Sequence, residues 1–276
     1  MLRLGSIELE CPAVMGILNT TPDSFSDGGR FTDPVTALSH AEQMATDGAA
    51  IIDIGGESTR PGAKSVGEQE EIDRVVPVIE AVHGAVDVPI SVDTSKPGVM
   101  RAAVAAGASM INDVRALRTD GALDAAAELQ QPVCLMHMLG QPRTMQQDPQ
   151  YGDVVGEITQ FLRDRVAQCE QAGLGKDLIV IDPGFGFGKT PADNIELLAN
   201  LRQLLSIGRP VLIGVSRKST LGAVTGREIE GRLSASITAA VLAVERGAQI
   251  IRAHDVAETV DAIRVTHAVI ESDSNE

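Results

Sequence analysis

The stretch LIVIDPGFGFGKT, residues 178–190, decides how the rest of the chain is read. An apolar run ends in Asp182 and opens onto Gly184, Gly186 and Gly188, followed by Lys189 and Thr190. The nearest phosphate-binding templates fail here. A P-loop needs a glycine five residues before the Gly of its Gly-Lys-Thr, but that position is Pro183, with Gly184 one place late. A dinucleotide fingerprint needs a third glycine where Lys189 stands. What remains is a short β-type run carrying a carboxylate at its C-terminal end.

Seven more runs have the same character: VMGILN (14–19), AIIDIGG (50–56), PISVDT (89–94), SMINDV (109–114), PVCLMH (132–137), PVLIGVS (210–216) and QIIRAHD (249–255). They are largely apolar on both faces, as strands of a covered parallel sheet must be. Ala-rich segments such as PVTALSHAEQMATDG, EQEEIDRVVPVIEAVHG and SASITAAVLAVERG lie between them, with apolar residues at helical spacing. Eight strand–helix units predict an α/β chain folded as one (β/α)₈ TIM barrel over residues 1–270, and the length suits that fold. A doubly wound sheet is the rival, and its nucleotide fingerprint is missing. The tail ESDSNE, residues 271–276, is acidic and is expected to be disordered.

Composition narrows the partners. Apolar residues make up 43% and charged residues 22% of the 276, an ordinary globular mix. With five Phe, one Tyr and no Trp, the core must be aliphatic. A net charge of −15 argues against nucleic acid and anionic membrane, although a few local cations can still hold a small anionic substrate. Cys11, Cys134 and Cys169 show neither zinc spacing nor a disulfide framework, which fits a reducing cytoplasm. No apolar run nears the ~20 residues of a membrane span, and the N-terminus does not read as a signal peptide. A cytoplasmic protein is expected.

In such a barrel the site lies where the strands end. The strand ends here are Asn19, Asp53, Asp93, Asn112 with Asp113, His137, Asp182, Ser216, and Arg252 with His254. Acceptors at Asp93, Asp182 and Asn112, with donors at Asn112 and Lys218, suit a flat polar ring. A carboxylate accepts the paired N–H groups of an amino-pyrimidine edge. Arg252 and His254 share one side of the last strand and suit phosphate oxygens. A divalent ion is the expected helper, with Asn19, Asp23 and Asp27 as oxygen ligands. Ser219, in SRKST (216–220), falls at the start of a helix, as a cap or as a carboxylate site. The Gly- and Ser-rich loops after the first two strands are expected to close over substrate. The Met residues of MHMLGQPRTMQQDPQYGD and Cys134 read as packing, and His137 as a satisfied polar residue. No nucleophile constellation stands out.

The motifs MGILNTTPDSFSDGG, GGESTRPGA, ISVDTSKP, INDV, MHM-x-G-x-P-x-TMQ, DPGFGFGK, SRKS and R-x-HDV occur in that order over about residues 12–268. Together they closely resemble the dihydropteroate synthase family. That resemblance implies a homodimeric (β/α)₈ barrel and a sulfonamide target. It implies a transferase joining 6-hydroxymethyl-7,8-dihydropterin diphosphate to p-aminobenzoate, giving dihydropteroate and diphosphate. Carried over by motif, Asp93, Asn112, Asp182 and Lys218 hold the pterin. Arg252 and His254, with Thr59 nearby, hold the diphosphate, and Asn19 holds Mg²⁺. Phe25, Arg60, Pro61, Phe187, Lys218 and Ser219 form the p-aminobenzoate pocket. Arg252, His254 and Lys218 carry the catalysis. A pterin-dependent methyltransferase on the same barrel and a catalytically silent pterin-binding homologue are the alternatives. The two loops and SRKS speak against the first, and the intact motifs against the second.

Overall fold

The eight runs become eight parallel strands of one closed sheet. A computed structural model describes residues 1–20, 34–59, 62, 63, 65–140, 144–146 and 148–273. An antiparallel hairpin comes first, β1 (Leu2–Leu4) and β2 (Ile7–Leu9). The barrel strands follow: β3 (Ala13–Asn19), β4 (Ile51–Gly55), β5 (Ile90–Asp93), β6 (Met110–Asp113), β7 (Val133–Met136), β8 (Ile179–Asp182), β9 (Leu212–Gly214) and β10 (Ile250–Ala253). Their order round the sheet is β8-β7-β6-β5-β4-β3-β10-β9. The two ends of that series meet through a parallel bridge between Ile181 and Val211, where the Ile181 N–H donates to the Pro210 carbonyl at 2.9 Å. A doubly wound sheet starts from an interior strand and stays open; this one steps round in chain order and closes.

The helices are α1 (Pro34–Thr46), α2 (Glu68–His83), α3 (Pro97–Ala105), α4 (Ala122–Leu129), α5 (Val154–Gln171), α6 (Pro191–Ala199), α7 (Ser219–Thr225), α8 (Leu233–Glu245) and α9 (Val256–Asp273). Strand alternation divides the apolar residues between two cores. Val14, Ile52, Ile90, Ile111, Val133, Ile179, Ile213 and Ile251 face the helices in one continuous cluster. Met15, Ile51, Met110, Cys134, Val180, Leu212 and Ile250 point inward and fill the bottom of the barrel. Leu4, Ile7 and Leu9 of the hairpin pack into that inner cluster and close its N-terminal end. The hairpin is absent from the sequence reading because LRL and IEL are too short to show a period. Cys134 is a core residue, as expected, and Met136, Met138 and Met145 form a small buried cluster with Val114.

One expectation is corrected at the C-terminus. Helix α9 runs through Glu271, Ser272 and Asp273, and the Ser272 hydroxyl donates to the Ala268 carbonyl at 2.9 Å. The polar letters of the tail hide continued helical hydrogen bonding, so the break expected after residue 270 is not there; residues 274–276 lie outside the described residues. Among the described residues, no helix is long and apolar enough to cross a membrane.

The hairpin plug is testable. Leu4 is 1% exposed. Leu4→Ala should lower the unfolding free energy in urea melts by about 2–5 kcal/mol, the cost of a large-to-small change in a packed core. A loss well under 1 kcal/mol would mean that the plug frays freely.

Candidate active site

Strand register assembles the site. Asn19 of β3 lies beside Gly55 of β4, Gly55 beside Asp93 of β5, and Asp93 beside Asn112 of β6. One rung lower, Asp53 sits between Ile17 and Ser91. Gly55 keeps the rung open: a Cβ there would stand 3.4 Å from the Asp93 Cβ and 3.9 Å from the Asn19 Oδ1.

The floor of the site is an ionic cluster. From β10, Arg252 donates through Nε to Asp53 Oδ2 at 2.6 Å and through Nη2 to Asp93 Oδ2 at 2.9 Å. The Asn112 amide donates to the same Asp53 oxygen at 3.0 Å. Asp182, ending β8, accepts the Gly184 N–H at 2.7 Å and adds a third carboxylate to the field on Arg252. Although burial works against its charge, these carboxylates hold the Arg252 guanidinium even more firmly protonated than usual. Burial raises Asp93 despite the opposing charge of Arg252, because one guanidinium is shared among three acids. Burial pushes Asp182 up to about 6, against the Gly184 N–H and the charges of Lys218, Lys189 and Arg252. Asp53 Oδ1 is buried and has no hydrogen-bond partner among the described residues.

Above this floor opens a cavity of about 320 Å³. Asn19, Thr59, Asp93, Phe187, Ser216, Lys218, Ser219, Arg252 and His254 are among the residues that line it. Lys218 carries its ammonium 4.0 Å from the centre of the Phe187 ring, a cation–π contact. His254 stands at the rim, with Nδ1 3.0 Å from the Ser216 hydroxyl. That hydroxyl also accepts the His254 backbone N–H at 3.3 Å, which holds the ring against the wall.

The glycine-rich stretch is a wall of this cavity. Gly184 has φ +69°, and a Cβ there would stand 1.8 Å from the His137 carbonyl oxygen, so only glycine fits. Lys189 does not reach into the cavity as a P-loop lysine would reach a phosphate. It is 2% exposed, and its ammonium contacts the Gly184 carbonyl at 2.9 Å, the Phe187 carbonyl at 3.0 Å and His137 Nδ1 at 3.1 Å. Thr190 caps α6 with a full capping box to Asp193.

Residues 15–254 match the family of pterin binding enzymes. The chain belongs to that family. It is 51% identical to the dihydropteroate synthase of Escherichia coli K12 over 270 residues, which is 98% of this chain and 96% of that one. A crystal structure of Yersinia pestis dihydropteroate synthase with a sulfonamide drug complex superposes with a TM-score of 0.95 at 50% identity, covering 98% of this chain and 99% of the other. The Xanthomonas albilineans enzyme in complex with 7,8-dihydropteroate gives 0.86 at 50% identity, covering 96% and 97%.

As a pterin-binding enzyme the chain brings most of the residues expected from its sequence to one end of the barrel. Asn112 and Asp182 lie deep, at 4% and 5% exposure, while Thr59, Asp93, Phe187, Lys218, Ser219, Arg252 and His254 line the cavity itself. Ser219 is the first residue of α7 rather than its cap; Lys218 precedes it in extended conformation. Phe25, Arg60 and Pro61, with Asp23 and Asp27, lie outside the described residues. Arg252 and His254 both line the cavity, the guanidinium bonded to the acids and the imidazole to Ser216. Two strand ends are scaffold. Asp113 accepts from the N–H groups of Arg115 at 2.8 Å and Leu117 at 2.7 Å, bracing the loop after β6. His137 packs edge-on to Phe161, with ring centroids 4.9 Å apart, and burial keeps it unprotonated. Two residues that matter were not singled out. Asp53 was visible as a strand-end acid, and Lys189 was visible only as the odd lysine of the glycine stretch.

The buried acids should shape stability. An ordinary Asp titrates near 3.8 and Asp182 near 6. Between those values the folded state keeps a proton that the unfolded chain has lost, so this residue's contribution falls as pH rises. Asp182→Asn removes that term. Relative to the wild type, the variant should gain up to about 3 kcal/mol between roughly pH 4 and 6 and then level off. A pH-independent difference in urea melts would mean that Asp182 is not buried as described.

Proposed function

We propose that the chain is a dihydropteroate synthase. It condenses 6-hydroxymethyl-7,8-dihydropterin diphosphate with p-aminobenzoate to give 7,8-dihydropteroate and diphosphate. One observation carries the reading: Asp93, Asn112 and Asp182 from three strands, with Lys218 from a fourth βα loop, converge beneath one cavity. Relatives about 50% identical over nearly the whole chain bear the same enzyme's name.

The roles follow from the chemistry. The Asp182 carboxylate accepts paired N–H groups of the pterin's amino-pyrimidine edge, and Asn112, Asp93 and Lys218 serve the remaining ring atoms. Arg252 is committed by two hydrogen bonds to the acids. The guanidinium keeps further donors and lines the cavity, where its charge helps the departing diphosphate. His254 and Thr59 face the diphosphate from the cavity wall. Phe187, Lys218 and Ser219, joined by Phe25, Arg60 and Pro61, take p-aminobenzoate, in the place where a sulfonamide would compete. The dihydropterin is electron-rich and stabilises the CH₂ cation left when diphosphate departs. A neutral arylamine then attacks without a strong base.

Mg²⁺ fits the donor set. The side-chain oxygens of Asn19 and Asp93 stand 3.9 and 3.8 Å from the open Cβ position of Gly55. Among the described residues, no group of three or more His, Cys, Asp or Glu side chains could cage a metal. Mg²⁺ commonly binds through few protein ligands and substrate phosphates. Asn19 would hold it, and when bound it neutralises charge on the leaving group.

Diphosphate release should require both p-aminobenzoate and Mg²⁺. In calorimetry Asp182→Ala should weaken pterin binding by about 100-fold or more, since it strips the ring's acceptor from a buried site. Arg252→Ala should slow diphosphate release at least ~100-fold. Normal pterin binding by Asp182→Ala would sink the assignment.

We also propose a cytoplasmic homodimer. Val265 and Val269, one turn apart on α9, are 67% and 57% exposed, and a second copy would cover them. Light scattering should return twice the 29.0 kDa chain mass; a monomer at micromolar concentration would refute the dimer.

A further inference from the structure

We propose that Lys189 is a positioning residue: it sets Phe187, and through Phe187 the ammonium of Lys218, for p-aminobenzoate. The inference rests on the synthase reading above and adds a residue that the motif carry-over left without a role.

The segment it holds has little shape of its own. Gly184, Gly186 and Gly188 all have positive φ, at +69°, +85° and +61°. Glycines with that freedom populate many conformations unless something outside the backbone selects one. The Lys189 ammonium has three N–H donors and meets three acceptors. Two are the carbonyls at either end of the Gly184–Phe187 turn, which is also closed by the Phe187 N–H to the Gly184 carbonyl at 3.0 Å. The third is His137 Nδ1. That nitrogen can accept because burial keeps the ring unprotonated, and Phe161 fixes the ring edge-on.

The turn is pinned from behind at two more points. Asn194 accepts the Gly186 N–H at 2.6 Å, and the Tyr151 hydroxyl donates to the Gly188 carbonyl at 2.8 Å. Lys189 grips the Phe187 carbonyl from the buried side, and Gln146, on the cavity side, donates to the Gly186 carbonyl at 2.8 Å. The Phe187 ring then lies on the cavity side, against Lys218. Burying a cation is costly even when its donors are met, and Lys189 shows that cost: burial pushes it down to about 7 despite the nearby Asp182. An apolar residue would fill the same space without that penalty, so a lysine here is better explained by what its three bonds hold in place.

The test uses the full-length enzyme and the diphosphate-release assay. Lys189→Met keeps an unbranched side chain and removes all three donors; Lys189→Gln keeps a polar end. In either variant KM for p-aminobenzoate should rise on the order of tenfold. Pterin affinity, measured by calorimetry at about pH 8, should stay within about threefold of the wild type, because there Asp182 is ionised without help from the Lys189 charge. In a Phe187→Ala background the same substitution should change KM for p-aminobenzoate far less, because the two residues act in series. An unchanged KM, an effect undiminished by Phe187→Ala, or parallel loss of pterin binding would overturn the proposal. So would failure of both variants to fold, since Lys189 would then serve stability alone. Failure of the wild type to release diphosphate would instead defeat the synthase reading itself, and this inference with it.

Discussion

One guanidinium shared by buried acids organises this molecule's working end. Arg252 reaches across the barrel from the last strand to Asp53 and Asp93 on the second and third, and Asn112 on the fourth joins the same Asp53 oxygen. Those bonds tie together residues up to 199 positions apart in sequence. Charges this deep are tolerated only when paired. The barrel therefore cannot place these acids at its working end without also placing the arginine that neutralises them. Burial raises the carboxyls of Asp93 and Asp182, and at Asp93 the neighbouring acids add to it. Lys218 supplies a further positive charge, and its ammonium belongs to a loop rather than to the sheet.

The glycine-rich stretch solves a second problem on the same rim. A wall that lies against a flat substrate needs a backbone able to turn sharply, and glycine permits that at the cost of definition. Definition returns from behind through Lys189, Asn194 and Tyr151. The resemblance to a phosphate loop is therefore only superficial. The lysine of Gly-Lys-Thr points away from the ligand cavity and into the protein, where backbone carbonyls take the place of phosphate oxygens.

Much of the site was legible in advance because a parallel barrel puts strand ends together whatever the sequence. Given the fold, Asn19, Asp93, Asn112, Asp182, Arg252 and His254 had to gather at one pole. Which strand ends face the ligand was less legible. Side chains alternate, and one residue of register exchanges the barrel interior for the helix layer. Asp113 and His137 look as functional as Asp93 and Asp182 in the sequence, yet they brace loops. Asp53 lies one rung below the rim and still belongs to the site, because Arg252 reaches down to it.

By itself the sequence determined the fold class, the eight strands, the closed order that eight βα units require, and the chemical character of one pole of the barrel. Local patterns suffice for this, since period, apolar runs and motif order are properties of neighbouring residues. Only the tertiary structure decided that Arg252 turns to the acids while His254 stays at the rim, that Lys189 braces a wall, and that a hairpin of two three-residue strands plugs the base. Each of these depends on contacts between distant segments, whose geometry is set by barrel register and burial and leaves no trace in any short stretch of the chain.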